Sequence, residues 1–383
     1  MTTDSTTINS DTIIEQLYQN QNLISDSLKI SMQGCVIELV SNSSELLSGL
    51  EIYFRGCQVL YDAKNNANAK HHLKIEIIES APVTLAIDFI DWKREPGKSG
   101  RKDAYYDFED QGQAIRLVQK VRTGMVFLQS SDRQIAAGPC VANDNQVINF
   151  INSQYMNWLQ NNNWLICHAS GLVYQDNKHS YGIGMAGLSG GGKSTLMLKL
   201  LERSEFSYMT NDRLFIRNES GSEQIEMCGI PKLPRINPGT IIGNPKLHSI
   251  LSDDKKSYFQ QMPTEQLWDI EEKYDVDIAA TYGDKKLKHQ ANLNKFIILN
   301  WQRNGSEPTR LSRINIEDRH DILPAIMKSP GPFYLNTEGK FEQDTNAQDK
   351  NHYLQLLKNI EIYEVNGGVD FDQLTTLCFN MMN

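Results

Sequence analysis

The stretch Gly187-Leu-Ser-Gly-Gly-Gly-Lys-Ser-Thr195 decides the fold of the C-terminal part of this chain. The preceding residues, Tyr181-Gly-Ile-Gly-Met-Ala186, form a short apolar run that is typical of a buried strand. The residues that follow, 193–203, have the spacing of an amphipathic helix whose apolar face comprises Leu196, Met197, Leu200 and Leu201. A strand, a glycine-rich turn and a helix in this order predict an α/β fold.

The glycine-rich stretch fits the pattern G-x-x-x-x-G-K-[ST], with Gly187, Gly192, Lys193 and Ser194 at the fixed positions. Glycine lets backbone N–H groups approach a phosphate closely, and the positive end of the next helix favours the same anion. Lys193 would place a positive charge on the β- and γ-phosphates, and the Ser194 hydroxyl would bind Mg²⁺. An ordinary glycine-rich turn is the alternative, but it does not explain why strand, pattern and helix agree. We therefore predict a P-loop for ATP and Mg²⁺, formed by Gly187, Leu188, Ser189, Gly190, Gly191, Gly192, Lys193, Ser194 and Thr195.

The composition is that of a globular protein. The 383 residues include 22% charged and 40% hydrophobic residues, and they are enough for two domains. The net charge of −9 argues against nucleic acid as a partner, because a phosphate backbone attracts a basic surface. No apolar run is long enough to span a membrane, and the polar N-terminus lacks the features of a signal peptide. The six cysteines form no C-x-x-C pair, so we expect buried, reduced thiols in a cytoplasmic protein without a membrane partner.

The pattern of predicted elements divides the chain into three parts. Residues 1–25 are polar with some helical tendency and are predicted to form a flexible tail. Residues 26–140 combine short strands with a helix near Ser44, which predicts an N-terminal α+β domain without evident chemistry. A domain boundary is indicated by the cluster Gly138-Pro-Cys-Val-Ala-Asn-Asp-Asn145. Residues 141–383 are therefore predicted to form a catalytic domain with the P-loop and a C-terminal extension.

A P-loop site needs a second ligand for the metal, usually an acidic side chain at the end of a neighbouring strand. Phe206-Ser-Tyr-Met-Thr210 is predicted to be such a strand, and Asn211 and Asp212 follow it. The stretch from Ser194 to Asp212 is long enough for one helix and one strand, as a βαβ unit requires. An aspartate in an ordinary strand-end turn is the alternative. We predict that Asp212 binds Mg²⁺ together with Ser194.

A known family shares the combination of three segments: His168-Ala-Ser-Gly-Leu-Val173, the glycine-rich stretch, and Tyr208-Met-Thr-Asn-Asp212. Together they resemble the catalytic domain of HPr kinase/phosphorylase. That family has a histidine-glycine strand, a short hairpin, the P-loop, a helix, and a strand that ends in Ala-Asp-Asp. It is related to phosphoenolpyruvate carboxykinases and is not built like eukaryotic protein kinases. The resemblance covers residues 160–216 and implies a P-loop kinase core of the HPr kinase/phosphoenolpyruvate carboxykinase type.

A broader likeness includes the runs Lys120-Val-Arg-Thr-Gly-Met-Val-Phe127, Gly138-Pro-Cys140, Asn145-Gln-Val-Ile-Asn149 and Gly229-Ile-Pro-Lys-Leu-Pro-Arg-Ile-Asn-Pro-Gly-Thr240. These runs are similar to the HPr-kinase-related "kinase B" group. That group is named for its resemblance to HPr kinase and implies no particular substrate. The last run lacks the glycine-rich signature that HPr kinases carry for phosphorolysis, so the resemblance does not extend to that activity.

The resemblance implies roles for individual residues around the P-loop. Asp212 matches the second aspartate of the family's pair, which acts with the metal and the acceptor hydroxyl. Asn211 takes the position of the first aspartate, and an amide cannot act as a base. One carboxylate would then serve both tasks, or the base lies elsewhere, or turnover is slow. His168 matches the family's histidine near the transferred phosphoryl group, and a structural histidine at a strand end is the alternative.

Two basic residues on the segment 229–240 are candidates for stabilising negative charge. Lys232 and Arg235 could contact the γ-phosphate or the acceptor, since phosphoryl transfer favours added positive charge. A solvated basic edge is the equal alternative. The predicted catalytic residues are Asp212, Lys193, His168, Asn211 and Arg235, and the predicted metal ligands are Ser194 and Asp212.

Three functions are compatible with these residues. The first is an ATP-dependent kinase that phosphorylates an alcohol group, a serine or threonine hydroxyl on a partner protein. The second is a kinase for a small metabolite, and the third is a nucleotide-switched binding protein without transfer. A transport-type ATPase is disfavoured because no Leu-Ser-Gly-Gly-Gln-like signature helix follows the P-loop at a distance. HPr kinases are oligomeric, which implies a homo-oligomer.

Overall fold

The computed structural model describes residues 9–59, 71–93, 100–187, 191–218, 222–270, 272–344 and 348–382. The chain divides into two units, and each is assembled from two stretches of sequence. The first unit comprises residues 1–162 and 330–347, and the second comprises residues 163–329 and 348–383. Each unit has a mixed sheet of its own with helices packed against it.

The described strands of the first unit are β1 (Ser27–Met32), β2 (Cys35–Ser41), β3 (Gln58–Val59), β4 (His71–Glu79), β5 (Ile90–Asp91), β6 (Asp103–Asp110), β7 (Gln113–Lys120), β8 (Met125–Gln129) and β9 (Gln134–Gly138). They lie in the order β3-β1-β2-β4-β9-β8-β7-β6-β5. The pairs β2–β4 and β4–β9 are parallel, and the remaining pairs are antiparallel. The helices are α1 (Ser10–Tyr18), α2 (Ser44–Tyr53) and α3 (Asp144–Asn161).

Residues 9–25 differ from the predicted flexible tail, because they include the helix α1. The side chain of Asn9 caps this helix by accepting a hydrogen bond of 2.7 Å from the backbone N–H of Asp11. Ile13 and Leu17 are buried in an apolar cluster with residues of β7, β8 and β9. The apolar side of α1 therefore holds the segment on the first unit. Residues 1–8 lie outside the described part of the chain.

The boundary between the units also differs from the one predicted at residue 140. Helix α3 was assigned to the second domain, but its Phe150 packs on Phe127 of β8, with ring centroids 4.8 Å apart. Phe333, from the returning stretch 330–347, completes this cluster at 5.1 Å from Phe150 and 5.7 Å from Phe127. The glycine- and proline-rich segment at 138–145 is thus a turn inside the first unit, and the chain crosses to the second unit after Asn162.

The described strands of the second unit are β10 (Leu165–Cys167), β11 (Ala169–Gln175), β12 (Ser180–Gly187), β13 (Phe206–Thr210), β14 (Leu214–Asn218), β15 (Ile225–Gly229), β16 (Arg235–Ile236), β17 (Tyr274–Asp275), β18 (Gln290–Leu299), β19 (Arg310–Ile314) and β20 (Glu361–Asn366). The main sheet has the order β10-β14-β15-β18-β12-β11-β13, and β20 joins both β18 and β19. Strand β12 is parallel to β18 and antiparallel to β11. Strands β16 and β17 form a separate two-stranded sheet.

The helices of the second unit are α4 (Lys193–Leu201), α5 (Pro238–Ile242), α6 (Asp253–Gln260), α7 (Thr264–Asp269), α8 (Ile278–Tyr282), α9 (Lys350–Leu357) and α10 (Phe371–Met382). Short 3-10 helices span Pro245–Ile250, Asp284–Lys286, Ile316–Asp318 and His320–Ala325. Because side chains alternate along a strand, Met185 of β12 faces the core that contains α4 and α10. Its neighbour Ala186 faces the opposite core, which contains α9. The sheet of the second unit is therefore covered on both faces.

Two expectations from the composition can be compared with the structure. All six cysteines are free thiols and buried, as predicted. Burial raises the pKa of Cys35, Cys57 and Cys378 to about 12, so these thiols stay protonated. Within the described ranges, every helix is too short or too polar to cross a membrane.

Candidate functional site

Three strand ends meet at one edge of the main sheet of the second unit. Ala169, at the start of β11, pairs with Ala186, so its neighbour His168 lies beside Gly187 at the end of β12. On the other side of β11, Gly171 pairs with Thr210, the last residue of β13. Strand β13 therefore runs in the same direction as β12 but is separated from it by β11, whereas the sequence suggested that it was a direct neighbour. The shared edge brings the residues after β13 towards His168.

The glycine-rich stretch connects the end of β12 with the start of α4, in the strand–turn–helix order predicted from the sequence. Leu188, Ser189 and Gly190 lie outside the described residues. Gly192 is the N-cap of α4, with a positive φ of 87°, and no side chain caps the helix there. The Lys193 ammonium donates a hydrogen bond of 2.7 Å to the carbonyl oxygen of Gly187, across the base of the turn.

The first turn of α4 also carries two hydroxyl groups. Ser194 and Thr195 are both half-buried. The Thr195 hydroxyl oxygen lies 2.8 Å from the hydroxyl oxygen of Thr240 on α5, which ties the segment after β16 to the start of α4. Ser194 is the hydroxyl that the sequence pattern assigns to the metal.

Asp212 lies in the turn between β13 and β14, between two basic side chains. Its Oδ1 atom is 3.3 Å from His168 Nε2, and its Oδ2 atom is 3.1 Å from Arg213 Nε. Burial alone would raise the pKa of Asp212, but the charges of Arg213, His168 and Lys328 and the hydrogen bond from His168 hold that pKa well below its ordinary value. The Asp212 side chain still exposes 44% of its surface. An ionised, accessible carboxylate is therefore present at this edge at neutral pH.

Asn211 is held by its backbone at the same turn. The Ser170 hydroxyl donates to the Asn211 carbonyl oxygen at 2.6 Å, and the Asn211 side-chain oxygen lies 3.4 Å from that hydroxyl. Ser170 is buried on β11. This contact holds the turn that carries Asp212 through the backbone of Asn211.

A segment remote in sequence supports His168 and adds a positive charge. The backbone N–H of His168 donates to the carbonyl oxygen of Ile326 at 2.7 Å, and Cys167 forms an antiparallel bridge with Met327. The Tyr353 hydroxyl donates to the Ile166 carbonyl at 2.6 Å and accepts from the N–H of Lys328 at 3.2 Å. Lys328 is thereby fixed where its charge acts on Asp212.

Arg213 and Lys328 are the site residues that the sequence reasoning missed. Arg213 follows Asp212 directly, so an argument about added positive charge could have found it. Lys328 is brought towards Asp212 by the pairing of Ile326 and Met327 with His168 and Cys167. The sequence around Lys328 does not indicate this pairing.

Two basic residues were predicted on the segment 229–240, and the structure gives a charge partner for Arg235 and a backbone contact for Lys232. Arg235 pairs with Asp275 of β17 through its Nε atom, at 3.1 Å, so the structure does not connect it with Asp212. The Lys232 carbonyl oxygen accepts a hydrogen bond of 2.9 Å from the Tyr208 hydroxyl. The positive charges beside Asp212 come from Arg213 and Lys328 instead.

The donor groups at this edge are of the kind that Mg²⁺ binds. No group of three or more histidine, cysteine, aspartate or glutamate side chains that could hold a metal occurs among the residues described. Mg²⁺ in phosphoryl-transfer sites needs only one or two protein oxygens, because phosphates and water complete its six ligands. The ionised Asp212 carboxylate and the Ser194 hydroxyl are oxygen donors of this type, so they fit a Mg²⁺ ion that arrives with ATP.

Comparisons with known proteins give limited information. No family model matches the chain, and no curated protein sequence does. A solved structure of the Hpr(Ser) kinase/phosphatase from Coxiella burnetii is similar at 13% sequence identity and a TM-score of 0.28, over 57% of this chain and 95% of that one.

Proposed function

We propose that the second unit is a kinase that transfers the γ-phosphoryl group of ATP to an alcohol hydroxyl, with a serine or threonine of a partner protein as the acceptor. The observation that carries this proposal is the edge shared by Gly187, His168 and Asp212, where a phosphate-binding sequence pattern and an ionised carboxylate come together. Transfer of a phosphoryl group from ATP to a hydroxyl requires groups that bind the phosphates and a carboxylate beside them.

The chain offers distinct groups for each part of that reaction. The backbone of the stretch 187–195 and the ammonium of Lys193 would hold the phosphates. Ser194 and Asp212 would hold the Mg²⁺, which neutralises charge on the phosphate oxygens when bound. Arg213 and Lys328 would stabilise the charge that spreads over the transferred group, in place of Arg235.

The low pKa of Asp212 decides which task this carboxylate performs. A carboxylate with a pKa held well below its ordinary value is a weak base at neutral pH. Such a carboxylate is better suited to bind a metal, or to accept a hydrogen bond from a hydroxyl, than to act as a base. Phosphoryl transfer has a loose transition state, so orienting the hydroxyl contributes more than removing its proton early. Asp212 therefore positions the acceptor and the metal.

A second candidate function is a nucleotide-switched binding protein that transfers nothing. It is favoured by Asn211, since the turn after β13 carries one carboxylate and one amide. An amide can orient a hydroxyl but cannot take up its proton. A kinase for a small metabolite is the remaining alternative, because the geometry at Asp212 does not distinguish a protein hydroxyl from a small one.

One experiment separates these functions. The protein is incubated with γ-labelled ATP, Mg²⁺ and a lysate that has been split into macromolecules and small molecules, with Lys193→Ala as the control. Label in the macromolecular fraction supports the protein kinase, and label in the small-molecule fraction supports the metabolite kinase. ATP binding without transfer to either fraction supports the switch. Equal labelling by Lys193→Ala would contradict the role of the glycine-rich stretch.

A further inference from the structure

Two aromatic side chains, Trp301 and Phe371, lie against the glycine turn that precedes α4. Trp301 follows β18, and its indole N–H donates a hydrogen bond of 3.0 Å to the carbonyl oxygen of Gly191. Phe371 is the first residue of α10, and its ring meets Trp301 edge to face, with centroids 4.8 Å apart at 85°. Both rings are half-buried against the core beneath α4.

The two rings leave no room for a side chain at Gly192. Gly192 has a positive φ of 87°, which disfavours any other residue. A Cβ atom at Gly192 would lie 2.6 Å from Phe371 Cζ and 3.2 Å from Trp301 Cζ2. Gly192 therefore packs directly on the aromatic pair and cannot shift towards it.

The hydrogen bond from Trp301 also sets the orientation of one peptide group. In a trans peptide the carbonyl and the following N–H point in opposite directions, and the described chain contains no cis peptide. Because the Gly191 carbonyl points to the indole, the N–H of Gly192 points away from the aromatic pair. In a glycine-rich turn before a helix, such N–H groups are the donors that bind phosphate oxygens.

Backbone hydrogen bonds and an ion pair hold the segments that carry Trp301 and Phe371. The backbone N–H groups of Asn300 and Gln302, on either side of Trp301, donate to the carbonyls of Val365 and Gly367 at 3.0 and 2.8 Å. Next to Phe371, Asp372 forms an ion pair of 2.5 Å with Lys199 of α4. The aromatic pair is thus held by β20 and α10 on one side and touches the turn on the other.

We propose that Trp301 is a positioning residue for ATP, which fixes the Gly191–Gly192 peptide so that the Gly192 N–H faces the phosphates, with Phe371 as its support. This inference rests on the proposed function, since it assumes that the turn binds the phosphates of ATP. It assigns to Trp301 a contribution to affinity that acts through the backbone, without contact between the indole and the nucleotide.

The test is Trp301→Phe, which retains an aromatic ring against Phe371 and removes the N–H donor. We expect the Kd for Mg²⁺–ATP, measured by calorimetry, to rise about tenfold, as the loss of one well-placed hydrogen bond predicts. The Tm without nucleotide should fall by a few degrees at most, because one hydrogen bond is lost, and the gain in Tm on adding ATP should shrink as well. Phe371→Leu should weaken binding in the same direction.

A matched variant serves as the control. Trp268→Phe makes the same change at another half-buried tryptophan of the second unit, and it should bind ATP as the wild type does. In the wild type, the indole N–H resonance that is lost in Trp301→Phe should also shift on titration with Mg²⁺–ATP, because the peptide that it contacts binds the phosphates.

The outcomes distinguish this inference from the proposed function. If the wild type binds Mg²⁺–ATP and Trp301→Phe binds it equally well, the positioning role is overturned while the kinase proposal stands. A lower Tm of Trp301→Phe with unchanged affinity also overturns it, since Trp301 would then be only a packing residue. Failure of the wild type to bind Mg²⁺–ATP would overturn both proposals.

Discussion

His168 Nε2 lies 3.3 Å from Asp212 Oδ1, at the sheet edge where β12 and β13 end. One residue precedes β11 and the other follows β13, so their contact depends on the antiparallel pairing of these two strands. The contact helps to keep the Asp212 carboxylate ionised. His168 itself precedes Ala169, which pairs with Ala186, the residue before Gly187, where the glycine-rich stretch begins.

The lowered pKa of Asp212 predicts how the stability of the protein depends on pH. Because the pKa is lower in the folded state than the ordinary value of about 3.9, the contribution of Asp212 is present in full above that value. It is lost as the pH falls through the folded pKa. Asp212→Asn should therefore be less stable than the wild type by a constant difference between pH 8 and pH 5, and the difference should shrink below about pH 4.

Urea unfolding of wild type and Asp212→Asn across this pH range measures the difference. Asp253→Asn, a change at a fully exposed carboxylate on α6, is the matched control and should show little effect at any pH. A difference that persists unchanged at the lowest pH would show that the charge of Asp212 is not its source.

Lys328 is expected to contribute to transfer more than to nucleotide binding. Its charge acts at Asp212, where the acceptor hydroxyl and the transferred group would meet. Lys328→Met keeps most of the side-chain volume and removes the charge, and we expect the single-turnover rate to fall about 10²-fold, as for other groups that stabilise developing charge. The Kd for Mg²⁺–ATP should change less than the rate does.

The control for this prediction is Lys358→Met, at an exposed lysine that follows α9. It makes the same chemical change away from Asp212 and should leave the rate unaltered. An equal loss of rate in both variants, or none in Lys328→Met, would remove Lys328 from the site.

Arg116 is expected to determine much of the stability of the first unit. It is fully buried on β7, and its Nε and Nη2 atoms each donate a hydrogen bond of 2.6 Å to the Asp107 carboxylate. Its Nη1 atom donates to the carbonyls of Pro332 and Glu342, at 2.9 and 2.7 Å, in the returning stretch 330–347. Arg116→Met would leave these acceptors unpaired and should lower the free energy of unfolding by about 3 kcal/mol.

Chemical denaturation followed by circular dichroism measures this change. Arg101→Met is a suitable control, because Arg101 pairs with Asp91 at 2.7 Å with both side chains more than half exposed. We expect that variant to be about as stable as the wild type, because water screens an exposed ion pair. Similar losses in the two variants would contradict a special role for Arg116.

Local sequence patterns predicted the strand and the helix around the glycine-rich stretch. The features that these patterns did not predict depend on contacts between residues that are far apart in the sequence. The strand and helix expected there correspond to β12 and α4, because periodic apolar residues report on burial within one element. The structure divides the chain after Asn162 and not at residue 140, and Phe150 in α3 packs on Phe127, in a strand that precedes the turn at 138–145. The sequence around Phe333 does not indicate that this residue packs in the same cluster.

In the candidate site, too, some residues were predicted from local sequence and others depend on contacts between distant parts of the chain. Asp212, His168 and Lys193 were found from motif and resemblance, and the structure places His168 and Asp212 in contact. Lys328 was missed because its position depends on backbone pairing with residues 166–168. Arg235 was predicted because it adds a positive charge on the segment that follows the core, and in the structure this charge pairs with Asp275.

The amide at Asn211 is the point where the chain departs from the paired aspartates of the family that it resembles. The turn that carries it is fixed by Ser170, whose hydroxyl donates to the Asn211 carbonyl at 2.6 Å and lies 3.4 Å from its side-chain oxygen. Asn211→Asp would therefore place a second carboxylate next to Asp212 without moving the turn. Two carboxylates so close repel each other and repel the γ-phosphate. We expect the single-turnover rate of phosphoryl transfer to fall in Asn211→Asp.

The opposite result has an equally definite meaning. General-base assistance adds about 10²–10⁴-fold to a rate where proton removal is limiting. If the rate of Asn211→Asp rose by such a factor, the missing carboxylate would be the limiting group and the natural protein would be an attenuated kinase. Asn211→Ser is the control, since it shortens the polar side chain without adding a charge, and a loss of rate in both variants would point to the amide as the group that orients the acceptor hydroxyl. A loss only in Asn211→Asp would show that the added charge is what the site cannot accept.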